Sequence, residues 1–343
     1  MTAPPIPTGA PIPTGAAIPT AAAIPTGAAI PSGAPIPTGA VALVGTTASG
    51  KSSVAMAVAR ARRKVELVCV DSMTVYRGMD IGTAKPSPSA RAEVPHHLLD
   101  LVEPSDEFTV AEFQSAARQA LAGIAAREHL ALLVGGTGLY LRSVVDGLEL
   151  PGRWPDVAAA LSATAGQPGG GAELYARLAA LDPVAAARTT PTNVRRIVRA
   201  LEVTIGSGRP FSSFGPGLEA YPPSPIPLVG LPFRPEEVDR AIEVRFRRWL
   251  DEGLLKEVET LAGQFRLSRT AGQALGYREL LDHIENGRPL DECVEAAIRR
   301  TRSFARRQWA WFRRDPRIRW VEPTEDPVSV LLHQLDSIPQ HRS

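Results

Sequence analysis

Cysteine is almost missing from this chain: Cys69 and Cys293 are the only two among 343 residues. Two isolated thiols build neither a disulfide framework nor a zinc site, and a reducing compartment, the cytoplasm, is the expectation. No apolar run approaches the ~18 residues that cross a bilayer, so no membrane partner is expected. The N-terminus has no basic stretch followed by an apolar one, which argues against a secretory leader. Lysine is scarce, and arginine carries most of the positive charge. Planar guanidinium forks suit phosphate recognition, although a GC-rich genome leaves the same bias. The net charge is only +2, so the total does not announce a nucleic-acid partner. Its distribution says more, with nine arginines against one acid, Asp315, between Arg299 and Arg319.

Residues 1–40 lack charged and aromatic side chains altogether. Variants of Pro-Ile-Pro-Thr-Gly-Ala recur instead, as at Pro11–Ala16 and Pro35–Ala40. Such a segment cannot bury enough surface to offset the entropy of ordering, so an extended low-complexity tail is expected. Its period is too short for a solenoid.

Beyond it the composition is globular, 44% apolar and 22% charged. Apolar runs at Val41–Gly45, Val65–Val70, Leu130–Val134 and Ile226–Leu231 read as strands. A helical pattern follows from Lys51 to about Arg63. Thr109 and Glu112 form a capping-box signature for a helix reaching about Arg127. Strands alternating with helices predict an α/β fold, a parallel sheet flanked by helices. From about Pro151 to Gly208 no strand is recognisable, and short Ala/Leu/Arg helices separated by Gly and Pro predict an all-helical insertion. The expected division is a core of 41–150 and 209–322, the helical insertion at 151–208, and a C-terminal tail at 323–343. Ile318–Val321 reads as an edge strand.

The segment Gly45-Thr46-Thr47-Ala48-Ser49-Gly50-Lys51-Ser52 fits G-x-x-x-x-G-K-[ST], between a strand and a helix as the mechanism requires. Backbone N–H groups turn inward around phosphate oxygens, and the helix N-terminus adds partial positive charge. Lys51 contributes a point charge, and Ser52 a hydroxyl for a divalent cation. The loop therefore predicts a P-loop NTPase-like core, without choosing among a kinase, an NTPase and a diphosphate-consuming transferase. No Asn-Lys-x-Asp is present to read guanine. The third strand ends in Gly135-Gly136-Thr137, which leaves room for a ligand and one hydroxyl at the mouth of the sheet. The second ends in Asp71, near the phosphate loop if ligands bind beyond the carboxyl ends of the strands. General base, metal ligand and turn-capping aspartate are all open readings of Asp71.

At this point several blocks look familiar. Asp71–Pro86, Val94–Pro104, Gly135–Tyr140, Asn193–Val203, Gln273–Leu280 and Thr301–Arg313 stand in the order and spacing of the tRNA dimethylallyltransferases, and the chain resembles that family from about 41 to 322. The resemblance implies transfer of a dimethylallyl group from dimethylallyl diphosphate to the exocyclic amine of adenosine 37, beside the anticodon in the tRNA stem–loop. Pyrophosphate is the other product, Mg²⁺ assists, and the enzyme acts as a monomer. It implies Asp71 as base, Thr137 as a group holding the amine, and Lys51 at the leaving group. Arg240 and Arg245 would lie near the diphosphate. Asp71, Ser72, Met73, Thr74, Arg195, Arg196, Arg199, Gln273 and Arg278 would meet tRNA, and the arginines at 299–319 would form a phosphate-facing surface. Plain helix-surface roles compete for Arg196, Arg199, Arg240 and Arg245, and a core role competes for Tyr277. His96 and His97 are expected to be structural or RNA-facing, since no third ligand accompanies them.

Two departures stand out. The family's loop usually begins Gly-Pro-Thr where this chain has Gly45-Thr46-Thr47, which removes no phosphate donor. It commonly has Gln where this chain has Thr74, a shorter reach toward RNA. An adenylate isopentenyltransferase, a small-molecule P-loop kinase and a non-enzymatic RNA-binding protein are the rival readings. The helical insertion and the Gln273–Leu280 block favour tRNA over the first two. The third has no need of Lys51, Ser52 and Asp71 together.

Overall fold

The structure, a computed structural model, describes residues 39–338; the tail expected at 1–40 lies almost wholly outside the described residues. The chain runs β1 (Ala40–Val44), α1 (Lys51–Ala61), β2 (Val65–Val70), α2 (Pro88–Glu93), β3 (His96–His97), α3 (Val110–Ala126), β4 (Leu130–Gly135) and α4 (Gly138–Val145). Next come α5 (Pro155–Ala165), α6 (Gly170–Leu181), α7 (Pro183–Ala187) and α8 (Val194–Ser207), with no strand among them. The remainder is β5 (Leu228–Gly230), α9 (Pro235–Asp251), α10 (Leu254–Gln264), α11 (Tyr277–Asn286), α12 (Leu290–Phe312), β6 (Ile318–Trp320) and α13 (Pro327–Asp336).

The six strands form one parallel sheet in the order β3-β2-β4-β1-β5-β6. β1 reads Ala-Val-Ala-Leu-Val and is buried throughout, as a central strand covered on both faces must be. Its alternate side chains enter different cores. Ala40, Ala42 and Val44 join the cluster under α3 and α9–α12, whereas Val41 and Leu43 join the one under α1 and α13. Helices α5–α8 pack around their own apolar cluster, with Leu174, Leu178, Ile197 and Leu201 at its centre. At α3 the capping box forms as expected: Glu112 N–H donates to Thr109 Oγ1 at 3.2 Å, and Thr109 N–H donates to Glu112 Oε2 at 2.7 Å.

Two expectations need correction, and one strand was not foreseen. The fourth strand is shorter than Ile226–Leu231, spanning Leu228–Gly230. The two-residue β3 had no periodicity to announce it. Residues 323–343 are not simply a tail, because α13 presses Leu331 and Leu335 onto the face of β1 and α1. Asp326 caps this helix by accepting from Val328 N–H and Ser329 N–H, and Pro327 occupies its first turn.

His96 and His97 do not form a metal pair. His97 Nε2 lies 2.6 Å from Glu66 Oε2, while His96 Nδ1 lies 2.7 Å from the Val94 carbonyl. Glu66 is a buried carboxylate in β2, and Arg127 donates to it at 3.0 and 2.8 Å with His129 2.7 Å away. Burial raises its pKa, but these partners outweigh burial and hold it at about 2. Its contribution to stability is therefore complete above the ordinary carboxylate range and is lost as pH falls through about 2. Glu66→Gln removes the charge and leaves the Arg127 guanidinium facing a neutral amide. The expected cost is about 2–3 kcal/mol at neutral pH, below the full value for a buried pair because Arg127 is half exposed. Urea titration of both proteins at pH 7 measures it.

Candidate active site

The strand register places Val70 of β2 and Val44 of β1 abreast on either side of Gly135 in β4. The three segments that follow these residues leave the sheet at one level. They open into a cleft of about 1060 Å³ whose lining includes Lys51, Asp71, Thr137, Arg245, Arg307 and Gln308.

The phosphate loop turns through Ala48 at φ 59°, a left-handed conformation uncommon outside glycine, and through Gly50 at φ 86°, which precedes α1. The Thr46 carbonyl accepts from Lys51 Nζ and from Ser49 Oγ, the latter at 2.8 Å. Burial lowers the Lys51 pKa to about 7, with Arg245 pushing the same way and Asp71 opposing. Arg245 of α9 donates to Thr47 Oγ1 at 2.8 Å, and its guanidinium lies 4.7 Å from the Trp249 ring centroid. Burial, helped by Arg248, lowers the Arg245 pKa to about 10. Two desolvated cations thus converge on one loop, an arrangement that favours a polyanion. The Thr46 side chain is buried with its hydroxyl unpaired.

Asp71 follows β2, which lies one strand away from β1 and its loop, and it lines the same cleft. Its Oδ1 accepts from Met73 N–H at 2.7 Å. Burial raises its pKa, countered in part by the backbone donors of Met73 and Thr74 and by Lys51. A raised carboxylate is a stronger base than a solvated one. Thr137 precedes α4 and makes no side-chain capping bond, so its hydroxyl is uncommitted. Thr74 lines the cleft at 7% exposure, also with an unpaired hydroxyl.

Sequence reasoning left several residues of this site without a role. On α12, Gln308 Oε1 accepts from Thr47 N–H at 2.7 Å and its Nε2 donates to the Gly136 carbonyl at 2.9 Å. A Cβ at Gly136 would collide with that amide, and one at Gly138 would collide with the Trp311 indole. Both glycines are thus required by the approach of α12. Lys85 is buried and donates to Asp80, Asp100 and the Tyr76 carbonyl at 2.5–2.7 Å, pinning the long segment between β2 and α2. Glu257 of α10 accepts from the N–H groups of Asp80, Ile81 and Gly82 and, at 2.6 Å, from Tyr277 Oη. Tyr277 is therefore a core residue. The Gln308 and Lys85 blocks were visible as motifs, but their partners are tertiary.

Other expected residues separate into groups. Arg245 reaches the loop, whereas Arg240 is exposed and does not line the cleft. Five residues at 100° each set the two about 140° apart around the α9 axis, so one helix cannot aim both at the same point. Arg195 and Arg196 are exposed on α8. Arg199 is not free: it donates to the carbonyls of Pro151 and Gly152 at 3.0 Å and pairs with Glu202 at 2.9 Å. Gln273 lines the cleft, and Arg278, exposed outside it, donates to Gln273 Oε1 at 3.4 Å. Of the arginines at 299–319, Arg299, Arg300, Arg302, Arg306, Arg317 and Arg319 pair with acids of the chain itself. Among the described residues Arg307, Arg313 and Arg314 have no carboxylate partner, so the expected phosphate-facing surface contracts to these.

A phosphate loop on a parallel sheet, with two partly buried cations at the loop and an acid and a hydroxyl lining the same cleft, defines a P-loop protein equipped to act on a phosphorylated substrate. Comparison with known proteins narrows the class. The family model described as IPP transferase matches residues 74–315, and the chain belongs to that family. A tRNA dimethylallyltransferase of Kineococcus radiotolerans is 45% identical over 307 residues, covering 87% of this chain and 96% of the relative. One from Streptomyces coelicolor is 44% identical, covering 82% and 89%. The crystal structure of the tRNA isopentenylpyrophosphate transferase of Bacillus halodurans superposes with a TM-score of 0.62 at 32% identity, covering 88% of this chain and 96% of that one. A eukaryotic dimethylallyltransferase acting on tRNA has a TM-score of 0.72 at 23% identity, covering 89% and 81%, a likeness of fold.

Proposed function

We propose that this chain transfers the dimethylallyl group of dimethylallyl diphosphate to the exocyclic amine of adenosine 37 in the tRNA anticodon stem–loop, releasing pyrophosphate. The observation that carries the reading is the presence of Lys51 and Asp71 together in the lining of one cleft, in a chain of this family. The allylic carbon–oxygen bond breaks as negative charge grows on the diphosphate. Lys51, Arg245 and the loop N–H groups stabilise that charge. The amine lone pair forms the new carbon–nitrogen bond, and Asp71 takes the proton the nitrogen sheds. Thr137 holds the amine in line. A base beside the anticodon must leave its stack to enter such a cleft.

Ser52 offers an exposed hydroxyl at the loop, and among the described residues no group of three His, Cys, Asp or Glu side chains could hold a metal. That donor set fits Mg²⁺, which keeps its waters and takes most remaining oxygens from substrate phosphates. When bound there, it would add charge neutralisation at the leaving group. Arg195 and Arg196 on the helical insertion, together with Gln273, Arg278, Ser72, Met73 and Thr74, are the proposed tRNA contacts. Among the described residues no helix is long and apolar enough to cross a membrane. A tRNA substrate would place the protein in the cytoplasm.

The test is transfer of radiolabelled dimethylallyl diphosphate to an anticodon stem–loop RNA, with AMP and ATP as competing acceptors. Label in the RNA alone, dependent on Mg²⁺ and Lys51, is expected. Label in the free nucleotide would make the protein an adenylate isopentenyltransferase, and no label anywhere would return a small-molecule kinase to the front.

A further inference from the structure

The side chain of Gln308 touches both the phosphate loop and the end of β4. It is 6% exposed on α12 and joins three segments far apart in sequence. Its Oε1 takes the Thr47 N–H of the phosphate loop, and its Nε2 gives a proton to the carbonyl of Gly136, the residue before Thr137. One turn further along α12, Trp311 occupies the space over Gly138, the residue after Thr137. α12 therefore grips Thr137 from both flanks while holding the loop that Arg245 also contacts through Thr47 Oγ1.

A primary amide accepts from an N–H through its oxygen and donates to a carbonyl through its nitrogen, which is what these two points require. A carboxylate accepts from Thr47 but repels the Gly136 oxygen, and a thioether does neither. Each of the joined groups is a backbone atom, so the bridge sets the spacing of the two strand ends without spending a substrate-binding side chain. Donor and acceptor must meet at near-bonding distance, and misplacement on the order of 1 Å costs about a hundredfold.

We infer that Gln308 is a positioning residue whose side-chain amide fixes the distance between the phosphate loop and Thr137, setting the diphosphate site in register with the acceptor site. This rests on the transfer reading above. Its signature is a split between binding and turnover. In Gln308→Met, of similar length and volume, the loop cations are intact and KM for dimethylallyl diphosphate stays within about threefold, while kcat for transfer to the stem–loop RNA falls about tenfold or more. Gln308→Glu restores one of the two bonds and is expected to lose turnover as well. Urea unfolding of each variant gives the folded fraction, and kcat is expressed per folded molecule. A kcat per folded molecule equal to wild type in both variants would overturn the inference, since Gln308 would then serve stability alone. So would a loss confined to KM, which would make it a binding group. Absence of transfer by the wild-type protein would instead defeat the functional reading, a result visible before any variant is made.

Discussion

Asp71→Asn lowers kcat for transfer to RNA by about 10²–10⁴, the span general-base catalysis supplies, with little change in dimethylallyl diphosphate affinity. The substitution keeps size and the acceptor oxygen that meets Met73 N–H. What it removes is the ability to take a proton. An aromatic amine whose lone pair is shared with the ring is a weak nucleophile, and its nitrogen becomes acidic only as the new bond forms. The base must therefore stand ready, close and partly desolvated. Asp71 meets this requirement, since burial raises its pKa while two backbone donors and Lys51 counter part of that rise. Single-turnover kinetics with labelled donor isolate the chemical step. A rate near wild type for the Asn variant would exclude Asp71 as the base.

Lys51→Met lowers kcat/KM by about 10²–10³, the scale for removing one preorganised donor from developing negative charge. Its pH dependence is more specific. In the free protein the Lys51 pKa is lowered to about 7, chiefly by burial. A diphosphate in the loop supplies the missing counter-charge and raises it. Below pH 7 the ammonium is already charged and binding takes up no proton at this group. Above pH 7 binding must take one up, so affinity weakens as pH rises from about 7 toward the pKa of the complex. Calorimetry of dimethylallyl diphosphate binding at pH 8, in two buffers of different ionisation enthalpy, measures the uptake. The contribution of Lys51 is the part that vanishes in Lys51→Met, because the ligand's own titration is common to both proteins. Equal uptake in the two proteins would show that Lys51 is fully charged before the ligand arrives.

The positions of the local motifs were readable from the chain. The phosphate loop, Asp71 at the end of β2 and Thr137 after β4 each announce themselves by a strand followed by a functional residue, and a parallel sheet brings strand ends together. Tertiary roles were not readable. Gln308 stands in a recognisable block, yet nothing in the block says that its amide spans Thr47 and Gly136. Lys85 likewise looks like one more basic residue in a loop until Asp80 and Asp100 close on it. Some misses were avoidable. Asp326 followed by Pro327 is an N-cap and first-turn signal that predicts α13. Arg240 and Arg245 on one helix could not both face the loop by spacing alone. Arg199 and Glu202, three residues apart, were a visible ion pair.

The C-terminal helix carries a consequence for how the protein is made. Val41 and Leu43, on β1, need Leu331 and Leu335 to complete the cover of their face of the sheet. Those partners are translated about 290 residues later, which at the usual pace of a ribosome is roughly a quarter of a minute to a minute. Through that interval the nascent chain carries its phosphate loop on a strand with one side only partly covered, by α1. Release of the last helix, rather than completion of any motif, ends the period in which the growing polypeptide must be shielded from its neighbours on the polysome.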